Sequence, residues 1–281
     1  MGLLLALLFL CALVVWFWAW RSPGYYTDYT PVPLAVPVLS GAQYDSLVAH
    51  HARPYLVQVQ AAEGALLLYG AEHTRNPNDP QLADIRARWA VFQPTVALVE
   101  SRLGFLLPGL MDPVEHYGEM GAVYALARRA GVPAYTWEPP RSLEIARMLE
   151  AFPAERVALF YVLRPYASNL RFGRPDDPDA ILEGYRQERT RYPGLENTLH
   201  SVADIDRIWQ RDFAGLPDWR DTSDEEGWPG YLGDLAAQSN TLRDEHFAQV
   251  IIDLVRRGQR VFAVCGSSHS VKLEKTLKAA L

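Results

Sequence analysis

Residues 65–74 read ALLLYGAEHT, and residues 260–270 read RVFAVCGSSHS. Each is an apolar run that breaks at a glycine, Gly70 or Gly266, and after two intervening residues presents a histidine, His73 or His269. Runs this short, bounded by glycine, read as strands buried on both faces. Each histidine then follows the carboxyl end of its strand, where the loops of an open α/β sheet converge on one crevice and ligands bind. A bare G-x-x-H arises by chance at this composition. Its repetition after two similar runs is what gives it weight. Without a function, each glycine supplies a left-handed turn and each histidine is an ordinary loop residue.

Outward from residue 65, residues 55–60 alternate as a strand, and the glycine-containing turn 61–64 makes the pair a β-hairpin. A short helical stretch over 44–51 precedes it. Past His73, Asp79 caps a helix that Pro80 opens and that runs to about Phe92, with Leu82, Ile85, Trp89 and Phe92 toward the core. Residues 95–99 form a second buried strand ending at Glu100. Residues 119–130 form a helix closed by Gly131, and 132–137 a third strand ending at Glu138. This β-α-β-α alternation predicts an α/β fold with a central mixed or mostly parallel sheet flanked by helices. From about 142 to 233 the strand signal fades into helices, with 157–162 the one apolar run, so this section reads as a helical insertion or lid. Residues 241–257 form an amphipathic helix, with Phe247, Val250, Ile251 and Leu254 on one stripe and Gly258 at its end. Residues 271–281 close the chain as a helix.

The chain has 281 residues, 49% of them hydrophobic, enough for a sizeable core without staples. Its net charge of -6 and its lack of any Lys/Arg block argue against a nucleic-acid partner. Residues 1–20, MGLLLALLFLCALVVWFWAW, carry no charged side chain and match the roughly 20 residues that cross a bilayer. No basic n-region or small-residue cleavage site marks a signal peptide, and Trp16, Phe17, Trp18 and Trp20 read as an interfacial belt. Residues 1–21 are therefore an N-terminal transmembrane anchor, and 22–41, with Pro23, Pro31, Pro33 and Pro37, a semi-extended spacer that lifts the body, 42–281, off the membrane. Arg21 points to a cytoplasmic body by the positive-inside rule.

Two neutral imidazoles and one carboxylate on converging loops suit a divalent first-row metal, with positions left open for water and substrate. His73 and His269 are then ligands, and Glu100 is either the third ligand or the base that takes the water's proton. Equally, Glu100 forms a surface pair with a neighbouring arginine. Glu72 is an alternative base. Arg243 falls in the first turn of the 241–257 helix, where a cation opposes the dipole, so it holds an anionic substrate group or a core-edge carboxylate. Cys265, the only cysteine after residue 11, reads as a small buried hydrophobe. His116 and His200 read as surface residues.

The hairpin YLVQVQAAEGALLLYGAEH, the strand PTVALVE, the helix LRDEHFAQVIIDLVRRG and the strand VFAVCGSSH occur here in an order that resembles the TraB/Tiki family, which includes the GumN and pheromone-shutdown proteins. The resemblance covers roughly residues 54–280, the middle poorly. It implies an α/β fold related to the haem-uptake and erythromycin-esterase-like proteins, membrane association with an extracytoplasmic body, and a metal-dependent peptidase. By the same resemblance Gly70, His73, Glu100, Arg243, Gly266 and His269 are the site residues, with Mn, Co or Zn as the metal and a peptide or protein as the substrate. Ala71-Glu72 departs from the family's usual Thr and aliphatic pair. The alternative function is a non-catalytic module of the same fold that sequesters a peptide or haem, and beyond that an anchored scaffold.

Overall fold

The computed structural model describes residues 19–47 and 51–281. The chain divides into two compact units, one ending at Pro139 and resuming over Asp244–Leu281, the other Pro140–Arg243. The first unit opens with β1 (Gly24–Tyr25), α1 (Gly41–Leu47), β2 (Tyr55–Gln60), β3 (Ala65–Ala71), α2 (Pro80–Phe92), β4 (Val96–Val99), α3 (Pro113–Ala130) and β5 (Ala134–Thr136). The second carries α4 (Arg141–Leu149), α5 (Ala154–Asn169), α6 (Pro178–Arg189) and α7 (Val202–Asp212). The division falls within α8 (Tyr231–Arg256), and β6 (Arg260–Gly266) and α9 (Ser267–Ala280) complete the first unit.

Among the described residues the sheet has six strands in the order β1-β5-β4-β6-β3-β2. Only β2 runs antiparallel to its neighbour, joined to β3 by a tight turn in which Ala61 N donates to Gly64 O at 3.0 Å. The other pairs are parallel. Apolar runs make this possible because each strand feeds two cores. In β3, Leu66 and Leu68 enter the core built with Phe247, Ile251 and Val255 of α8 and Leu273 and Leu277 of α9. Leu67, Tyr69 and Ala71 enter the opposite core, with Leu82, Ile85 and Trp89 of α2 and Val123 and Ala127 of α3. Val261, Ala263 and Cys265 of β6 face the first core, and Phe262 and Val264 the second. Helices thus cover both faces of a sheet whose central strands are buried but for Arg260 at the start of β6, and each buried leucine contributes about 1.5–3 kcal/mol.

Local chemistry sets the helix ends. Asp79 caps α2 by accepting from Gln81 N at 2.9 Å, with Pro80 at the first helical position. Asp112 and Pro113 repeat the device for α3, and Gly131 ends it in the left-handed conformation. This helix begins at Pro113 rather than 119, and Gly118, with φ 61° and ψ -152°, breaks it just before Glu119.

The second unit is helical, around a core of its own that includes Phe160, Tyr161, Trp209, Trp219 and Leu235. The apolar run 157–162 lies within α5 with every residue buried, so the helix is apolar all round over that stretch. Buried Glu144 accepts from Ser239 Oγ at 2.5 Å and pairs with Arg164 at 3.6 Å.

Three expectations are corrected. The 22–41 segment does not stand off the body. Tyr26 OH donates to Asp253 at 2.7 Å, Gln249 clasps both backbone groups of Val32 at 2.9 and 2.7 Å, and Thr276 Oγ1 donates to Pro37 O at 3.1 Å. Extended, proline-rich backbone leaves its polar groups free for such side-chain bonds, so the segment is a strap along α8 and α9. Trp20 does not face outward as a belt residue would: it is buried, edge-on to Tyr124 at 4.9 Å, and its backbone N–H donates to Leu106 O at 2.8 Å. Third, the 241–257 helix begins at Tyr231, and the last starts at Ser267, which puts His269 in its first turn. The expected membrane span falls on residues 1–18, outside the described residues, and among those described no helix is long and apolar enough to cross a membrane.

Candidate functional site

Parallel strands β4, β6 and β3 lie side by side and end on one edge, so the residues after them meet. Ala71 pairs with Gly266, which sets His73 two residues past the register and His269 three. Glu100 follows β4 directly.

Gly266 does not supply a left-handed turn, since its φ is -59°. It supplies room. A Cβ there would stand 3.0 Å from His73 Nε2, 3.4 Å from its Cε1 and 3.7 Å from His269 Cδ2. The two imidazoles therefore flank one point, and the distances 3.0 and 3.7 Å cap the separation of those atoms at 6.7 Å. Gly70 is likewise a close approach: its Cβ would meet Ser270 Oγ at 2.5 Å and Tyr55 O at 2.8 Å.

Each ring is tied from behind by a buried carboxylate. His73 Nδ1 lies 2.6 Å from Glu119 Oε1, while Glu119 Oε2 accepts from Thr74 N at 3.2 Å. Gly118 makes this approach possible, because a Cβ there would meet Thr74 O at 2.6 Å. His269 Nδ1 bonds Asp244 Oδ1, whose other oxygen is 3.6 Å from Lys272 Nζ, and Trp137 stands edge-on to the ring at 5.3 Å. A carboxylate accepts, so each Nδ1 carries a proton and each ring turns Nε2 away from its carboxylate. The same arrangement orients metal-binding histidines and raises their basicity.

Glu100 joins them. Its Oε2 accepts from Gly266 N at 3.1 Å, and its Oε1 lies 3.9 Å from His269 Nε2. Glu72, exposed, forms a 3.8 Å pair with Arg53 instead. Arg243 is buried and donates to Asn240 at 3.2 Å within the second unit, one residue before Asp244 in the chain. It sits about three turns into α8, so its charge does not oppose a helix N-terminus.

The sequence did not single out Glu119, Asp244, Lys272 or His51. His51 Nε2 is 3.0 Å from Ser267 Oγ, and its Nδ1 2.8 Å from Tyr44 OH, a polar chain that ends beside Gly266. For Glu119 a signal was present, an acid directly after a helix-breaking glycine. For Asp244 it was an acid one turn before Phe247 on an otherwise buried stripe. His116 and His200 are exposed. Cys265 is buried, and burial pushes its thiol well above the ordinary range.

Among the described residues no three His, Cys, Asp or Glu side chains form a ready metal cluster. The donor chemistry nevertheless fits a divalent ion. Two donors each about 2.1 Å from one ion stand roughly 3–4 Å apart, and His269 Nε2 and Glu100 Oε1 are separated by 3.9 Å. Compared with known proteins, the chain matches no family model, no curated protein and no solved structure.

Proposed function

We propose that the first unit is a metal-dependent hydrolase, peptidase-like, tethered by residues 1–18 with its body outside the cytoplasm, Trp20 already belonging to the body. The observation that carries this reading is the pair of imidazoles, each with Nδ1 on a buried carboxylate, that flank Gly266 beside Glu100. His73 and His269 are the donors through Nε2, and Mn, Co or Zn suits two imidazoles with a carboxylate. Such an ion would lower the pKa of water and polarise a carbonyl.

The chain's own residues do the rest. Glu119 and Asp244 keep both Nδ1 atoms protonated and both rings in place. The Gly266 N–H fixes one oxygen of Glu100 and leaves the other facing His269, placed either to complete the donor set or to take a proton from water. The role of Arg243, to hold an anionic substrate group, is drawn from the TraB/Tiki resemblance. The peptide or protein substrate, like the extracytoplasmic body, is drawn from the TraB/Tiki resemblance.

The full chain, loaded with Mn²⁺, Co²⁺ or Zn²⁺ and offered a mixed peptide library, should release new peptide ends detectable by mass spectrometry. His73→Ala and His269→Ala should each abolish them. Glu100→Gln separates its two roles: turnover lost with metal retained makes it the base, and metal lost makes it a ligand. Metal-loaded chain that holds peptide yet yields no product would instead favour the sequestering module.

A further inference from the structure

The loop between β4 and α3 contains residues 103–111, LGFLLPGLM, without a charged side chain. Leu103 and Leu106 are buried in the core, but Phe105 is 55% exposed and Leu110 75%. The loop is firmly built. Leu110 N and Met111 N both donate to Leu107 O at 3.2 and 3.0 Å, and Gly109, with φ 79°, makes the turn that puts Leu110 at its tip. Tyr117 OH holds Phe105 O at 2.8 Å.

Single exposed apolar residues are common and need no explanation. Here two lie on one loop, the one to which the N-terminal segment is bonded. Trp20 N donates to Leu106 O at 2.8 Å and Ser22 Oγ bonds Leu103 O, so the chain leaves residue 19 beside this loop with eighteen uncharged residues before it. Arg21 and Arg102, both exposed, flank the two apolar stretches, and the Arg102 guanidinium lies 5.2 Å from the Tyr25 ring. Exposed apolar side chains with exposed cations nearby in the chain are what a bilayer surface accepts.

We propose that the 103–111 loop is a membrane-docking surface, with Phe105 and Leu110 inserted into the leaflet that holds residues 1–18. The proposal rests on the anchor reading. Trp20 is bonded to Leu106 only two residues past residue 18, so an anchored chain brings this loop to the lipid. Because the loop starts just past Glu100, through a left-handed Ser101 with φ 65°, the candidate centre then faces peptide segments that lie along the membrane.

The test uses the full chain with Cys11→Ser, carrying Leu110→Cys or, separately, Phe105→Cys, labelled with an environment-sensitive fluorophore. It is reconstituted in vesicles of phosphatidylcholine and phosphatidylglycerol. Both labels should shift to the blue and be quenched at least about threefold more by a lipid-borne spin label than a label at exposed Val91→Cys. Vesicle-bound chain with both loop labels unquenched overturns the docking surface while the anchor stands. Equal quenching at Val91 overturns it as non-specific adsorption. Chain that does not float with vesicles overturns the anchor, and the proposal with it.

Discussion

Nδ1 of His73 lies 2.6 Å from Oε1 of Glu119, a buried acid that the sequence places at a break in helix α3. The bond commits the ring to one tautomer and aims Nε2 at the space beside Gly266. Asp244 does the same for His269 from another helix. Glu119→Gln and Asp244→Asn keep the shape but exchange a charged acceptor for an amide. Each should weaken metal binding about 10–100-fold, measured by calorimetric titration, while the far-ultraviolet dichroism stays that of the wild type.

Gly266→Ala sets a methyl group 3.0 Å from His73 Nε2. The backbone at 266 is open to any residue, with φ -59°, so the cost falls on the histidine and not on the fold. Metal affinity should drop at least about tenfold with a stability change under roughly 1 kcal/mol, read from denaturant unfolding. Gly118→Ala differs in kind. There the left-handed backbone and the 2.6 Å contact with Thr74 O both resist a side chain, so stability should fall by about 1–3 kcal/mol along with affinity.

His246 predicts a pH dependence. It is buried on α8 with Tyr29 OH 2.7 Å from Nδ1, and burial lowers its pKa to about 4, against a smaller upward pull from Glu138. The folded ring therefore stays neutral where an unfolded one, titrating near 6.5, takes a proton. Stability from this group is complete above pH 6.5 and is lost as pH falls toward 4, by on the order of 2–3 kcal/mol. His246→Gln should remove that part of the slope in unfolding measured from pH 7 to 4.

Cys265 is fully buried with its thiol pushed up by desolvation. In Cys11→Ser chain it should resist a thiol reagent until the protein unfolds, so labelling at pH 8 should follow the denaturation curve. Fast labelling of native chain would mean that β6 opens locally.

Much of the sheet was legible because its strands are apolar on both faces and short, and because glycine, proline and aspartate mark the boundaries between them. The pairing of β3 with β6 was not written in either stretch; it follows from closing a buried strand between two others. What sequence reasoning misjudged were features decided by distant partners. The strap over residues 22–41 looks like a spacer until Gln249, Asp253 and His246 are seen to bind it. Arg243 seemed to open a helix because the residues before it, 231–240, lack a continuous apolar stripe, yet Leu232 and Leu235 pack into the core of the second unit. At the site, His73, His269 and Glu100 stand out because each follows a strand end. Their supports, Glu119 and Asp244, sit within helices where acids are ordinary.

The direct test of the central claim is metal content. The full chain, passed through chelator, reloaded with Mn²⁺, Co²⁺ or Zn²⁺ and desalted, should retain close to one equivalent of one of these by elemental analysis. The His73→Ala/His269→Ala variant, folded by dichroism, should retain almost none. Equal metal in both proteins, or none in either, would contradict the account.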